Sequence, residues 1–217
     1  MPRCIFVTAT DTDAGKTWVT KSLLQQSLSV GKDIQALKPI ASGVDERGRN
    51  EDVATLLSAQ PDKMEHDINF ATFDLPLAPA LAARRQGGCI AKDRFLAWQH
   101  AQLEKHDITL IEGVGGLMVP LIQEPMWLVS DWLQGMADAE VLLVVPLRLG
   151  CMNQVLLSCY HLQHIGKPPQ WIVFNDMEHT GTFDETYQTI QPFLQYMLDE
   201  LPHIVSIGYG EAMPNLW

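Results

Sequence analysis

The chain has 217 residues, 47% of them apolar and 19% charged, with 15 Lys+Arg against 26 Asp+Glu and a formal net charge of −11. This length and composition predict one large domain over residues 1–217 and exclude disorder and coiled coil. The negative balance excludes nucleic acid and anionic membrane as main partners, and no apolar run approaches the ~18 residues of a membrane span, so a soluble, cytoplasmic protein is expected.

Taken in order, CIFVTAT (4–10) is a β-branched and aromatic strand, followed by a loop and a helical run that Gly31 stops. IQALKPI (34–40) is the second strand, and EDVATLLSA (51–59) begins a helix with Pro61 just beyond it. Residues 67–80, with Pro76 and Pro79, read as an irregular ordered connection, and helical stretches follow around 79–86 and 91–105. DITLIEG (107–113) and EVLLVVPL (140–147) are strands, 151–166 a helix ending at Gly166, QWIVFND (170–176) a strand, 182–201 mostly helix, and HIVSIGY (203–209) a last strand. Strands that are apolar throughout and alternate with helices imply a mostly parallel, doubly wound α/β sheet with helices on both faces. Ligands of such sheets gather outside the carboxyl ends of the strands.

The four cysteines, Cys4, Cys89, Cys151 and Cys159, form no C-x-x-C pair, and the seven histidines have no metal-ligand spacing. No disulfide framework or zinc site is expected. The N-terminus carries no signal-peptide pattern.

The strand ends carry the chemistry. ATDTDAGKT (9–17) follows the first strand and opens the next helix, where unpaired N–H groups and the helix dipole favour phosphate. Lys16 would reach the outer phosphates and the Thr17 hydroxyl a Mg²⁺ ion; the competing reading is an ordinary turn with a surface lysine. The loop departs from G-x-x-x-x-G-K-[ST], because the fifth place before Gly15 is Thr10 and the residue before that is Ala9. Lys38 ends the second strand beside Ser42 and Gly43, placed either to face an anion or simply to be solvated. Asp52, at the start of a helix, could be a structural first-turn acid. Glu112 ends an apolar strand before a glycine-rich loop, where a carboxylate is costly unless paired or metal-bound. Thr17, Asp52 and Glu112 together offer three hard oxygens suited to Mg²⁺. LRLGCMNQ (147–154) is a second helix start that could hold a carboxylate, and Asn175 follows a strand where an amide can read a purine edge or serve as a turn residue.

Assembled, these pieces resemble the dethiobiotin synthetase family. Its loop, G-T-D-T-(E/D)-x-G-K-T, has one more residue between the glycines than the standard one and is matched except at Ala9. The resemblance continues through LKPIASG, RNEDVATL, IEGVGGLMVPL, SDWL, LGCMNQVLL and FND, over about residues 4–176.

It implies a P-loop nucleotide-hydrolase-like fold, ATP and Mg²⁺, and closure of the ureido ring of dethiobiotin from 7,8-diaminononanoate and CO₂, by way of a carbamate and a carbamic–phosphoric anhydride. It places Asp13, Ala14, Gly15, Lys16, Thr17, Glu112, Gly115 and Asn175 about the nucleotide, with Asn175 on adenine. It assigns Thr17, Asp52 and Glu112 to the metal. Thr12, Lys16 and Lys38 fall at the reacting phosphate and carbamate, and Ser42 beside the amines. Gly150, Cys151 and Asn153 fall at the substrate carboxylate, supplied by the partner subunit of a homodimer.

Ala9 would cost about 1 kcal/mol or more if its φ were positive and little otherwise, and Asp13 is a methylene shorter than the family's frequent Glu. An amidoligase of the cobyrinate amidation type would normally carry a glutaminase domain, for which 217 residues leave no room. A nucleotide-switch ATPase of the partitioning type would carry a lysine where this chain has Asp11, and no C-terminal amphipathic membrane helix is evident. A degenerate relative without turnover is favoured by Ala9 alone.

Overall fold

The computed structural model describes residues 2–208, 211, 213, 214 and 216. Arg3–Ala9 (β1) is buried from Cys4 onward, a pattern satisfied only inside a sheet covered on both faces. It leads through the loop into α1 (Lys16–Ser29), which Val30 caps before Gly31 turns the chain at φ 75°. Next come β2 (Ile34–Leu37), β3 (Ile40–Ser42), α2 (Glu51–Ser58), α3 (Glu65–Ile68), β4 (Ala71–Phe73), α4 (Pro79–Arg85) and α5 (Lys92–Leu103). The second half runs β5 (Ile108–Glu112), β6 (Pro120–Ile122), β7 (Trp127–Leu128), α6 (Val129–Gln134), β8 (Ala139–Pro146), α7 (Cys151–His164), β9 (Trp171–Asp176), α8 (Phe183–Met197) and β10 (His203–Gly208).

Six strands form one sheet in the order β10-β9-β8-β1-β5-β2, and every pairing in it is parallel. The expected doubly wound α/β architecture is therefore present. From β1 the chain crosses to β2 at one edge, returns to place β5 between them, and then runs through β8 and β9 to β10 at the other edge. The carboxyl ends of β1, β5 and β8 therefore meet at the reversal of direction, where such sheets bind ligands. The register sets Glu112 opposite Val7 and Ala9 opposite Val144.

Three local readings are corrected. The second strand does not run through to residue 40. Proline has no N–H to continue a ladder, so the strand breaks at Lys38–Pro39, and β3 leaves the main sheet to pair with β4 in a parallel two-stranded sheet. The connection at 67–80 is not wholly irregular, because it holds β4 and the end of α3. Between Glu112 and β8 the chain forms an antiparallel β6–β7 pair and α6, for which no element was expected. The last strand is described to Gly208; Tyr209 lies outside the described residues.

Phe95 of α5 is fully buried and meets Trp132 at 5.1 Å, Phe70 at 5.4 Å and Trp127 at 5.7 Å between ring centroids, with Trp132 edge-on to Phe6 of β1 at 4.8 Å. Trp132 donates its indole N–H to Gln99 at 2.6 Å, so the polar atom buried with the ring is satisfied. This cluster fastens α5 and α6 to one face of the sheet.

The outer edge of β2 is closed by side chains and a turn. The Gln60 amide accepts from Ala36 N–H at 2.8 Å and donates to Ala36 C=O at 3.0 Å. The Lys38 N–H donates to Ile68 C=O at 2.9 Å, and Asn69 donates to Lys38 C=O at 2.7 Å.

All four cysteines are free, three buried and Cys89 exposed. Among the described residues, no helix is long and apolar enough to cross a membrane.

Candidate functional site: a phosphate loop beside a buried lysine–carboxylate cluster

The loop between β1 and α1 is held open by two left-handed residues, Asp13 at φ 58° and Gly15 at φ 91°. Gly15 is the N-cap of α1, and a Cβ there would lie 2.0 Å from Asn175 Nδ2. Only glycine fits that conformation and that approach together. Asn175, at the end of β9, donates to Ala14 C=O at 2.9 Å, while its own Oδ1 is buried without a partner.

Ala9 is the last residue of β1, fully buried, and is absent from the described non-glycine residues with positive φ. It therefore carries no left-handed strain. The glycine it replaces is not required by the backbone here.

Lys16 opens α1, nearly buried, with its Nζ 3.3 Å from Asp11 C=O. Burial, reinforced by the Lys38 charge, pushes its pKa down to about 8. Asp11 itself accepts from Thr12 N–H at 2.8 Å, Arg148 at 3.0 Å and Gln154 at 3.3 Å. Arg148 comes from the turn joining β8 to α7 and Gln154 from the first turn of α7, and nothing in the local sequence marks this partnership.

The break after β2 turns Lys38 beneath the loop. Its Nζ lies 2.6 Å from Glu112 Oε1, 3.0 Å from Asp52 Oδ2 and 3.2 Å from Gly113 C=O. Burial alone would lower the Lys38 pKa, but the charges of Glu112 and Asp52 outweigh it and hold the ammonium above its ordinary value. Burial alone would likewise raise Asp52, and Lys38 and Thr17 outweigh it, leaving the carboxyl below its ordinary value.

Thr17 Oγ1 lies 2.7 Å from Asp52 Oδ1 and 2.7 Å from Glu112 Oε1. A hydroxyl has one proton, so it donates to one carboxylate while the other contact brings two oxygens together unbridged. Glu112 is 0% exposed, and its Oε2 has no partner. This oxygen-rich, donor-poor cluster fits a hard cation: the ~2.1 Å bonds of octahedral Mg²⁺ place neighbouring ligand oxygens about 3.0 Å apart. Among the described residues no group of three or more His, Cys, Asp or Glu could hold a metal by itself; here the donors are two carboxylates and a hydroxyl.

A cavity of about 740 Å³ opens above the cluster. Of the predicted residues it gathers Thr12, Asp13, Gly15, Lys16, Thr17, Lys38, Ser42, Asp52 and Gly115 on its walls, with Glu112 bonded beneath. Gly150, Cys151 and Asn153 do not line it; they form the start of α7, Gly150 and Asn153 exposed and Cys151 buried. Sequence reasoning missed Trp18, Leu77, Pro79 and Val119, which give the cavity an apolar wall. Pro79 at the first position of α4 was the available signal.

A family model described as an AAA domain matches residues 3–207. The chain is 39% identical over 217 residues to an ATP-dependent dethiobiotin synthetase of Legionella pneumophila subsp. pneumophila, the match covering 97% of this chain and 96% of that one. It is 39% identical over 188 residues to the synthetase of that name from Chromohalobacter salexigens, covering 83% and 77%. The same identity over 158 residues relates it to the one from Marinobacter nauticus, covering 70% of this chain and 66% of that one.

Among solved structures, the cell division protein FtsY from Thermotoga maritima has a TM-score of 0.55 at 16% identity, covering 98% of this chain and 63% of that one. A ParA family ATPase from Chlorobium tepidum has a TM-score of 0.53 at 14%, covering 95% and 84%. These two show the fold alone. The near full-length match at 39% identity, joined to a loop, a lysine and a carboxylate cluster in the expected order, makes the chain a member of the ATP-dependent dethiobiotin synthetase family.

Proposed function

We propose that this protein forms dethiobiotin from 7,8-diaminononanoate, CO₂ and ATP, releasing ADP and phosphate, as a cytoplasmic ligase of biotin biosynthesis made of one domain. The observation that carries this reading is the pair of buried lysines beside one cavity, Lys38 locked to Glu112 and Asp52 and Lys16 at the helix start. A switch of the partitioning type would carry its additional lysine in the loop, at the place of Asp11, and not at the end of β2.

In this reading Lys16, the amides of residues 13–17 and Gly115 hold the triphosphate at the N-terminus of α1. Thr17, Asp52 and Glu112 would hold Mg²⁺, which when bound neutralises phosphate charge. Asn175 Oδ1, free to accept, would take the adenine amino group; guanine presents a carbonyl oxygen at that place. Ser42 faces the substrate amines.

One amine attacks the carbon of CO₂ and loses a proton, giving a carbamate whose charge Lys38 offsets. A carbamate oxygen then attacks the γ-phosphorus beside Thr12 and Lys16, and the bond to the ADP oxygen breaks. The second amine attacks the carbonyl carbon and loses a proton, phosphate leaves, and the ring closes. These steps demand positioning and charge neutralisation more than a strong base.

The start of α7 at residues 150–153 is assigned to the substrate carboxylate of the partner protomer in a homodimer. That none of Gly150, Cys151 and Asn153 lines the cavity of its own chain supports that assignment.

The test supplies ATP, Mg²⁺, bicarbonate and 7,8-diaminononanoate, omits each in turn, and follows dethiobiotin by mass spectrometry. Product that needs all four is expected. Tight ATP–Mg²⁺ binding with no product would overturn the substrate assignment.

A further inference from the structure

We propose that the Lys38 ammonium is the resident counter-ion of the Thr17–Asp52–Glu112 cluster in the nucleotide-free protein, and that the metal exchanges for it, freeing Lys38 for substrate only once metal and nucleotide are in place. This rests on the metal-ligand reading above and adds to it an order of events.

The argument is a count of protons. An ammonium has three donors. Those of Lys38 are taken by Glu112 at 2.6 Å, Asp52 at 3.0 Å and Gly113 C=O at 3.2 Å, so none is left for a carbamate. To touch substrate, Lys38 must release at least one carboxylate. Releasing Glu112 with nothing in exchange would leave a wholly buried charge already short of donors, since its Oε2 has no partner and Thr17 has one proton for two carboxylates.

A second cation on the same oxygens removes that obstacle. With Lys38 alone the cluster carries −1, from two carboxylates and one ammonium; with a divalent ion added it carries +1. The lysine is then repelled by its new neighbour and drawn to the anions above it. Substrate activation is thereby made conditional on the metal–nucleotide without any moving lid.

The test measures Mn²⁺ binding to nucleotide-free protein by electron paramagnetic resonance of the unbound ion. Replacing Lys38→Met removes the resident cation, so the variant should bind Mn²⁺ at least about tenfold more tightly than the unmodified protein. Lys16→Met removes the same charge from a side chain with no bond to the cluster and should stay within about threefold. Equal Mn²⁺ affinity in the Lys38 variant and the unmodified protein, or an equal gain from Lys16→Met, overturns the exchange.

A second measurement needs no variant. Lysine ¹⁵Nζ resonances of the unmodified protein should show a protected ammonium that shifts with Mg²⁺ plus ADP and stays in place with ADP alone. A signal indifferent to Mg²⁺ overturns the proposal even if Lys38→Met does not fold. Failure of Mn²⁺ to bind even with ADP present would instead strike the metal-ligand assignment, a distinguishable result.

Discussion

Replacing Gly15→Ala tests the loop most directly, because two penalties meet at one atom. The residue sits at φ 91°, and a left-handed alanine costs about 1–2 kcal/mol. Its Cβ would also lie 2.0 Å from Asn175 Nδ2, which must leave and surrender the 2.9 Å bond to Ala14 C=O. Losing a buried bond of this kind costs about 1–3 kcal/mol, so the substitution should destabilise the fold by about 2–5 kcal/mol in all. Asn175→Ala alone should cost about 1–3 kcal/mol through the same lost bond. In the double variant the clash has no object, so Asn175→Ala should cost almost nothing once Gly15→Ala is present. Urea unfolding of the four proteins measures the cycle, and ADP calorimetry on the folded ones should show the largest affinity loss wherever Gly15 is changed. A strictly additive cycle would refute the reasoning, as would a Gly15→Ala protein within about 0.5 kcal/mol of the parent.

Lys38→Ala should abolish dethiobiotin formation while leaving ATP affinity largely intact; an affinity loss equal to that of Lys16→Ala would contradict their separate roles. Asp52→Asn, which keeps the shape and removes one of two carboxylate charges, should raise the Mg²⁺ needed for half-maximal activity, and an unchanged requirement would take Asp52 out of the metal shell. Phe95→Ala should destabilise by about 3–5 kcal/mol in urea, since a fully buried ring touching three other aromatics leaves a cavity that cannot collapse; a loss under about 1 kcal/mol would show the cluster repacks. Asp33, hydrogen-bonded to His106 at 2.5 Å and to the Asp107 N–H, has its pKa lowered by them. Its folded pKa is below the unfolded one, so its contribution is present above the unfolded value and is lost as pH falls through the folded value. The acid limb of the stability–pH curve should therefore flatten in Asp33→Asn, and an unchanged limb would remove this contact from the account.

The six-stranded sheet was legible because buried parallel strands read as unbroken apolar runs, and CIFVTAT, DITLIEG and QWIVFND each became the strand expected. The chemical residues were legible where they ended such runs, as Lys38 and Glu112 do. What joins them was not. Lys38 and Glu112 lie 74 positions apart, and Arg148 and Asp11 lie 137 apart; contacts of that span leave no local periodicity. The break at Pro39 had its signal in the proline, but a run of apolar neighbours outweighed it. The β6–β7 pair and α6 are too short for either period to show.

The closure of β2 constrains how two copies can meet. Ala36 and Lys38 present outward amides and carbonyls at this edge that could recruit a strand, and Gln60, Ile68 and Asn69 already occupy them. An incoming chain would have to displace three internal partners to add itself there. Extending the sheet past β2 would therefore cost internal hydrogen bonds before it gained any, which disfavours this edge as a meeting place for two copies. The same closure denies misfolded chains a template at that edge.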